Sequence, residues 1–216
     1  MQNTKVVVQE LARKIMRAMP ALESSEQQLV VQLYRLLGEG KPVSPRRLAE
    51  ALNLPEARVR AILGQRPGVY YDDDGSVIGF WGLALGQMPH QFEVDGRTLY
   101  TWCAWDSLFI PEILAKTARV TSADPVTKEK ISLVVGPDGV KDISPAATVV
   151  SFLTPDRPFD QDVIMRFCHF VHFFASPATA ATWTAAHPGT FLLSVENAYA
   201  LGRLTNQRNV GDALRS

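Results

Sequence analysis

The sequence contains little cysteine and no excess of charge of either sign. Two of its 216 residues are cysteines, and Lys plus Arg and Asp plus Glu number 22 each. This balance gives no net field that would favour nucleic acid or an anionic membrane. No run approaches the roughly 18 apolar residues that a spanning helix needs, and no secretory segment opens the chain. We therefore expect a cytoplasmic protein with free thiols, and a single disulfide in an oxidising compartment is the alternative.

Two common catalytic signatures are also missing. The sequence has no glycine-rich phosphate loop and no G-x-S-x-G segment, so neither a dinucleotide-binding enzyme nor a serine hydrolase is predicted. Hydrophobic residues make up 46% and charged residues 20% of the chain, which is the composition of a folded globular protein. The expected partner is a small or neutral molecule.

Residues 1–82 predict a winged-helix-like helical subdomain. Apolar residues at helical spacing indicate helices over 6–19 and 24–37. Ser44-Pro45 is typical of a helix start, and Asn53 of a left-handed helix stop. After a further short helix, two strands that turn at Asp74-Gly75 complete a helix-turn-helix with a hairpin wing.

A winged helix often binds DNA, but the charges of this one argue against that function. Between Glu39 and Asp74 there are six basic and six acidic residues. The predicted wing tip carries Asp72, Asp73 and Asp74, where a phosphate would approach. We therefore interpret the wing as a scaffold or lid, and expect no nucleic-acid partner.

Residues 83–216 predict an α+β core of short, largely antiparallel strands with flanking helices. A hairpin over 91–100 turns at Asp95-Gly96 and leads into a helix over 107–115. Alternating apolar residues make 166–174 the strongest predicted strand, with Cys168, Phe170, His172 and Phe174 on one face. Further strands are expected at 119–121, 130–135, 148–153 and 191–195, and further helices at 177–187 and 196–207.

The two cysteines lie in the most aromatic segments of the chain. Cys103 has Asp106 three residues later, at a strand-to-helix junction where the helix N-terminus lowers a thiol pKa. If the fold brings Cys168 to them, two soft sulfur ligands and one proton carrier share a site. The alternatives are inert buried cysteines, an ordinary first-turn acid at Asp106, and a zinc or copper site with His169 or His172, for which a second ligand pair is missing.

Several segments together resemble the organomercurial (alkylmercury) lyases of bacterial mercury resistance. They are LYTWCAWDSLFIP at 99–111, TARV at 117–120 and FCHFVHFFAS at 167–176, with GEGKPVS at 38–44 and DGSVIG at 74–79 upstream. The chain departs from the family in two places. His169 stands where members often have a further cysteine, and the stretch directly after Ala118-Arg119-Val120, where members often have another, contains none. The resemblance therefore leaves Cys103 and Cys168 as the only thiols for the chemistry.

The resemblance implies an enzyme that cleaves the carbon–mercury bond of alkyl- and arylmercury compounds by protonolysis. Its catalytic set falls on Cys103, Asp106 and Cys168, with both thiolates binding Hg(II) and the aspartate carrying the proton. We expect burial against aromatic side chains to raise the pKa of Asp106. The residues expected to line the substrate pocket are Trp102, Trp105, Phe109, Phe170 and His172.

The family gives no reason to expect a resident cofactor. An external low-molecular-weight thiol, or transfer to a mercuric reductase, is expected to remove the Hg(II) product, and no membrane partner is expected. Two other functions stay open, a non-catalytic thiol metal-binding protein and a winged-helix metal-responsive DNA-binding regulator. The charge balance weakens the regulator, and Asp106 beside Cys103 weakens the chelator, since a chelator needs no proton carrier.

Overall fold

The computed structural model describes residues 4–215, with side chains from Val7 onward. The described N-terminal part contains the helices α1 Thr4–Ala18, α2 Ser24–Leu37, α3 Pro45–Leu52 and α4 Glu56–Gly64. Between residues 4 and 215, no helix has both the length and the apolar character needed to cross a membrane.

Helix α3 begins and ends as the sequence predicts. The Ser44 hydroxyl accepts the Arg47 backbone N–H at 3.2 Å, and Asn53 ends the helix with a φ of 53°. The strands β1 Val69–Tyr71 and β2 Val77–Phe80 then pair in antiparallel orientation. Together these elements confirm the winged-helix-like arrangement.

The strands of the second part continue the sheet that the wing begins. They are β3 Leu83–Ala84, β4 His90–Val94, β5 Arg97–Thr101, β6 Ala118–Ala123, β7 Lys130–Gly136 and β8 Gly139–Ser144. In the order β1-β2-β3-β5-β4-β6-β7-β8 every neighbouring pair is antiparallel. The sheet thus runs without interruption past residue 82, and the division into 1–82 and 83–216 stays a prediction.

A smaller sheet and four more helices complete the described chain. The smaller sheet has the order β10-β9-β11 and is formed by β9 Val149–Leu153, β10 Phe173–Phe174 and β11 Thr190–Ser194. The helices are α5 Asp106–Leu114, α6 Val163–Arg166, α7 Pro177–Ala186 and α8 Val195–Leu214. Helix α8 packs against α1, α2 and α5. The last helix therefore joins the N-terminal helices to the helix that follows Cys103.

Two predictions about the second part are wrong, and three short elements, β3, α6 and β8, are missed. Residues 166–174 form the end of α6, a 3₁₀ turn over Cys168–Phe170 and the two-residue strand β10. The Ser151 hydroxyl donates to the Phe170 carbonyl at 2.8 Å and accepts the His172 N–H at 3.0 Å, so side-chain bonds hold the segment where the backbone pairing of β9 and β10 ends. Helix α8 runs to Leu214 instead of residue 207. Strand β8 is missed because it buries no alternating apolar face.

Candidate active site

Three potential ligand groups converge although they come from distant parts of the sequence. The Sγ atoms of Cys103 and Cys168 and a carboxylate oxygen of Asp106 all lie within 4.8 Å of one another, and all three residues are buried. Both cysteines are free thiols. The fold therefore brings together the three residues that the sequence analysis singles out.

Cys103 and Asp106 are held by the turn that joins β5 to α5. Asp106 is the first residue of α5, and its Oδ2 accepts the Cys103 backbone N–H at 2.8 Å. The Thr101 hydroxyl donates to the Cys103 carbonyl at 3.1 Å, and the Ser107 hydroxyl to the Ala104 carbonyl at 2.7 Å. The spacing of three residues matters because it lets a carboxylate of the first helical turn bond back to the backbone before the helix.

Cys168 reaches the site from a separate loop. It opens the 3₁₀ turn after α6, and three residues later the Val171 carbonyl accepts the Ala104 N–H at 3.1 Å. The hydrogen bonds of Ser151 hold the same loop at Phe170 and His172. These backbone contacts place the two cysteine segments side by side.

Burial makes all three groups favour their neutral forms. It raises the pKa of Asp106 from 3.8 to about 7, although hydrogen bonds from the Cys103 thiol and backbone lower it. It also raises the pKa of the Cys103 thiol well above its ordinary value. The adjacent Cys103 thiol lowers the pKa of Cys168, but burial and the Asp106 charge outweigh it and the net pKa is raised. The site can therefore hold protons at neutral pH.

An apolar cavity of about 60 Å³ leads to this site. Asp106 and Cys168 line it, whereas Cys103 is fully buried and is not part of its wall. The wall includes three of the residues expected in a substrate pocket, Trp102, Trp105 and Phe109. A small apolar group can therefore lie against aromatic rings beside one thiol and the carboxyl group.

Two family models together match nearly the whole chain. The model of MerB, alkylmercury lyase, matches residues 83–207, and the model of the helix-turn-helix domain of alkylmercury lyase matches residues 7–81. The chain is 47% identical over 188 residues to the alkylmercury lyase of Pseudomonas putida, covering 87% of each sequence. It is 42% identical over 181 residues to that of Streptomyces lividans, covering 83% of each. The chain belongs to the alkylmercury lyase family.

A solved structure confirms the fold of this lyase. The crystal structure of the mercury-bound form of MerB2 matches with a TM-score of 0.73 at 21% identity, over 96% of this chain and 98% of that one. Both the observed helices and strands and this match confirm the α+β class that the sequence predicts. As a member of the family, the chain is an organomercurial lyase, an enzyme that cleaves the carbon–mercury bond.

Two residues expected in the substrate pocket of the lyase lie outside the cavity wall. The rings of Phe170 and His172 pack against Trp183, with centroids 6.5 and 5.4 Å away. The prediction relied on a strand that would align them with Cys168, and the 3₁₀ turn breaks that alternation. The His172 Nε2 atom lies 2.7 Å from the His169 carbonyl oxygen.

The zinc or copper alternative gains no support from the fold. Over residues 4–215, the only cluster of three or more Cys, His, Asp or Glu ligand atoms is that of Cys103, Asp106 and Cys168. A structural zinc site has four ligands, and a catalytic one usually three protein ligands plus water. His169 and His172 do not join Cys168 in such a set.

Gly82 is not predicted from the sequence as a site residue, yet its main chain touches the site of the lyase. Its φ is +97°, and a Cβ at this position would lie 2.5 Å from the Cγ of Asp106. Only glycine lets the backbone approach so closely. Trp81 before it also has a positive φ of 35°, and its carbonyl accepts the Tyr34 hydroxyl at 2.6 Å. A glycine directly after a predicted hairpin strand is the signal that could have found this turn.

Proposed function

We propose that this lyase breaks the carbon–mercury bond with Cys103 and Cys168 as mercury ligands and Asp106 as the proton carrier. The observation that supports these roles is the approach of the two sulfurs and the carboxylate to within 4.8 Å. Mercury is a soft metal and prefers thiolate sulfur to nitrogen or oxygen. In the overall change, R–Hg⁺ and two thiols become R–H, Hg(II) bound to two thiolates, and one H⁺.

The proposed steps move one proton through Asp106. The carboxylate accepts the proton of one thiol, and the resulting thiolate binds mercury. The second thiol then loses its proton to solvent and binds as well. As the carbon–mercury bond breaks, its electron pair stays with carbon, and Asp106 returns its proton to that carbon. A pKa near neutrality suits this role, since the carboxyl group must both accept and donate within one cycle.

Cys168 is the first thiol in this scheme. It lines the cavity together with Asp106, whereas Cys103 is fully buried outside the cavity wall. Mercury that arrives through the cavity therefore meets Cys168 before Cys103. The aromatic wall formed by Trp102 and Trp105 suits an apolar organic group such as methyl or phenyl.

Product release needs another soft ligand in this scheme. Two thiolates hold Hg(II), and oxygen or nitrogen donors compete poorly with them. An external low-molecular-weight thiol, or direct transfer to a mercuric reductase, therefore removes the metal. No resident cofactor is required, because the two sulfurs and the carboxyl group supply the ligands and the proton.

The proposal assigns no nucleic-acid or membrane partner to the winged-helix part. Four of the six basic residues between Glu39 and Asp74 form ion pairs, which are Arg46–Glu50, Arg47–Glu39, Arg60–Glu56 and Arg66–Glu26. Paired cations attract phosphate less than free ones, and the wing tip is acidic. These charges favour a structural role for the wing.

Hydrocarbon release tests the proposal directly. Purified protein with methylmercury or phenylmercury and excess small thiol is expected to release methane or benzene over many turnovers, measured by headspace gas chromatography. Asp106→Asn, Cys103→Ser and Cys168→Ser are each expected to lower the rate by about a hundredfold or more. The side chain of Asp156 is exposed, so Asp156→Asn is the matched control and should keep the wild-type rate.

Three outcomes would contradict the proposal. Full activity in any one of the three variants would remove that residue from the mechanism. Stoichiometric mercury capture without hydrocarbon would favour the non-catalytic metal-binding function. Salt-dependent binding to DNA, also without hydrocarbon, would favour the regulator.

A further inference from the structure

The backbone turn beside Asp106 is strained. Trp81 and Gly82 have consecutive positive φ angles of 35° and 97°. For a bulky residue such as tryptophan this conformation is a genuine outlier. Such strain persists only where the surrounding structure fixes it, and it concentrates at functional sites. The contacts that hold this turn therefore bear on the site.

Three hydrogen bonds fix the turn. The Trp81 N–H donates to the Gly68 carbonyl at 3.1 Å, and the Trp102 N–H donates to the Gly82 carbonyl at 2.9 Å. The third bond runs from the Tyr34 hydroxyl to the Trp81 carbonyl at 2.6 Å. The first two link neighbouring strand ends, whereas the third comes from helix α2. One side chain of the N-terminal helices thus holds the turn directly.

The turn forms one side of the pocket that contains the carboxyl group. A Cβ at Gly82 would lie 2.5 Å from Cγ and 2.6 Å from Oδ1 of Asp106, so the main chain packs directly on this oxygen. The other oxygen, Oδ2, accepts the Cys103 N–H at 2.8 Å. One carboxyl oxygen is therefore fixed by a hydrogen bond and the other by backbone packing.

We infer that Tyr34 is a positioning residue of the lyase, because its hydroxyl holds the Trp81 carbonyl and thereby keeps the Gly82 main chain against Asp106. The inference rests on the proposed role of Asp106 as proton carrier. Tyr34 is buried, and this burial raises the pKa of its hydroxyl well above the ordinary value. The hydroxyl therefore stays a neutral hydrogen-bond donor.

Positioning of the carboxyl group affects proton transfer more than mercury capture. Proton transfer requires the carboxyl oxygen to lie within hydrogen-bond reach of its partner, and small displacements slow it strongly. Capture of mercury depends on the two sulfurs, whereas the Tyr34 hydroxyl is bonded to the Trp81 carbonyl. Loss of this hydroxyl should therefore lower kcat and leave KM and the affinity for Hg(II) unchanged.

Tyr34→Phe is the principal test because it removes only the hydroxyl. With methylmercury and excess thiol, its kcat for methane release is expected to fall by about tenfold. KM and the Hg(II) affinity, followed by the thiolate–mercury absorbance, should stay at wild-type values. Tyr199→Phe is the matched control, since the Tyr199 hydroxyl donates to the carbonyls of Gly136 and Pro137 at 3.0 and 2.8 Å, outside the site. It should keep the wild-type kcat.

A pair of glycine variants tests the same contact from the other side. Gly82 and Gly75 both have positive φ, at +97° and +73°, but a Cβ at Gly75 meets nothing within 4 Å. Both alanine variants therefore strain the backbone, and only Gly82→Ala pushes on Asp106. We expect Gly82→Ala to lower kcat more than Gly75→Ala, again without a change in Hg(II) affinity.

Several results would overturn the inference. They are a wild-type kcat in Tyr34→Phe, an equal loss of kcat and Hg(II) affinity in that variant, and a similar kcat loss in Tyr199→Phe or Gly75→Ala. Asp106→Asn, measured in the same assay, separates the two levels of the proposal. If Asp106→Asn keeps turnover, the proposed role of Asp106 fails. If Asp106→Asn loses turnover and Tyr34→Phe keeps it, only the positioning role fails.

Discussion

The carboxyl group of Asp106, the proposed proton carrier, also affects folding stability. Burial raises its pKa from 3.8 to about 7, so between these values the folded chain holds a proton that the unfolded chain has lost. The free energy of unfolding therefore falls as the pH rises through this range, which is the direction expected for a raised pKa. A carboxyl group that is easily protonated near neutral pH suits the proposed role of proton carrier, and the folded protein is less stable at neutral pH because this group is buried.

Replacement of Asp106 should make this effect measurable. We expect Asp106→Asn to be more stable than wild type above about pH 7, by up to about 4 kcal/mol, and the difference to shrink toward about pH 4. Urea unfolding across this pH range measures it. Asp156→Asn, at an exposed position, should follow the wild-type curve. A stability difference that does not change with pH would contradict the raised pKa.

Some residues of the candidate site can be predicted from the sequence, and others cannot. Cys103, Asp106 and Cys168 stand out because they lie in aromatic segments of the chain, and the resemblance of these segments to alkylmercury lyases connects them with mercury chemistry. Gly82 escapes such analysis because its approach to Asp106 depends on a turn held by Tyr34, 47 residues before Trp81. Local patterns do not encode contacts of this range.

At the level of elements, α5 and α8 pack closely enough to exclude a side chain. A Cβ at Gly202 of α8 would lie 2.6 Å from the Cβ of Phe109 on α5. The Trp105 indole N–H donates to the Ala198 carbonyl at 3.0 Å, and the Asn206 amide donates to the Phe109 carbonyl at 3.0 Å. Helix α8 therefore supports the first turn of α5, where Asp106 lies.

Two glycines of the same helix test this packing. Gly202→Ala is expected to destabilise the protein by about 1–3 kcal/mol, because the added methyl group overpacks the contact with Phe109. Gly211→Ala adds the same group where its nearest neighbours lie at 3.7 and 4.0 Å. It should stabilise α8 by roughly 0.5–1 kcal/mol through helix propensity. Urea denaturation of both variants measures the difference, and equal effects would contradict the close packing.

The segment 166–174 shows why some elements resist prediction. Its apolar residues alternate as in a strand, yet Cys168–Phe170 form a 3₁₀ turn. The turn is stabilised by Ser151, which bonds to Phe170 and His172 from a strand 19 residues or more before them. The hairpins and the Ser44 helix start were predictable because their stabilising contacts are local.

For the whole molecule, the winged-helix part and the catalytic core share structure. One eight-stranded sheet contains β1 and β2 from the first part and β3 to β8 from the second. Helix α8 packs on α1 and α2 as well as on α5. The periodicity of the sequence predicts the α+β class. It does not predict that β3 pairs with β5, because β4 lies between these two strands in the chain and pairs with the other edge of β5.

This shared structure predicts cooperative unfolding. Three of the four tryptophans, Trp81, Trp102 and Trp105, line the cavity, so fluorescence reports on the site. Far-UV circular dichroism reports on the helices of both parts. We expect the two signals to change together in urea with one midpoint. Separate midpoints would mean that the N-terminal helices unfold without disturbing the site.

In the proposed mechanism, the cavity also sets the order in which substrate and products move. Cys168 and Asp106 lie on its wall and Cys103 does not, so in the proposed mechanism the organomercurial enters and the hydrocarbon leaves through this cavity. In the same mechanism, a hydrocarbon that stays bound against the aromatic wall delays the external thiol that is proposed to remove Hg(II). Tight binding of an apolar organic group therefore slows the release of Hg(II). The proposed mechanism thus makes turnover depend on how quickly the cavity empties, and strong binding of the organic group alone does not increase it.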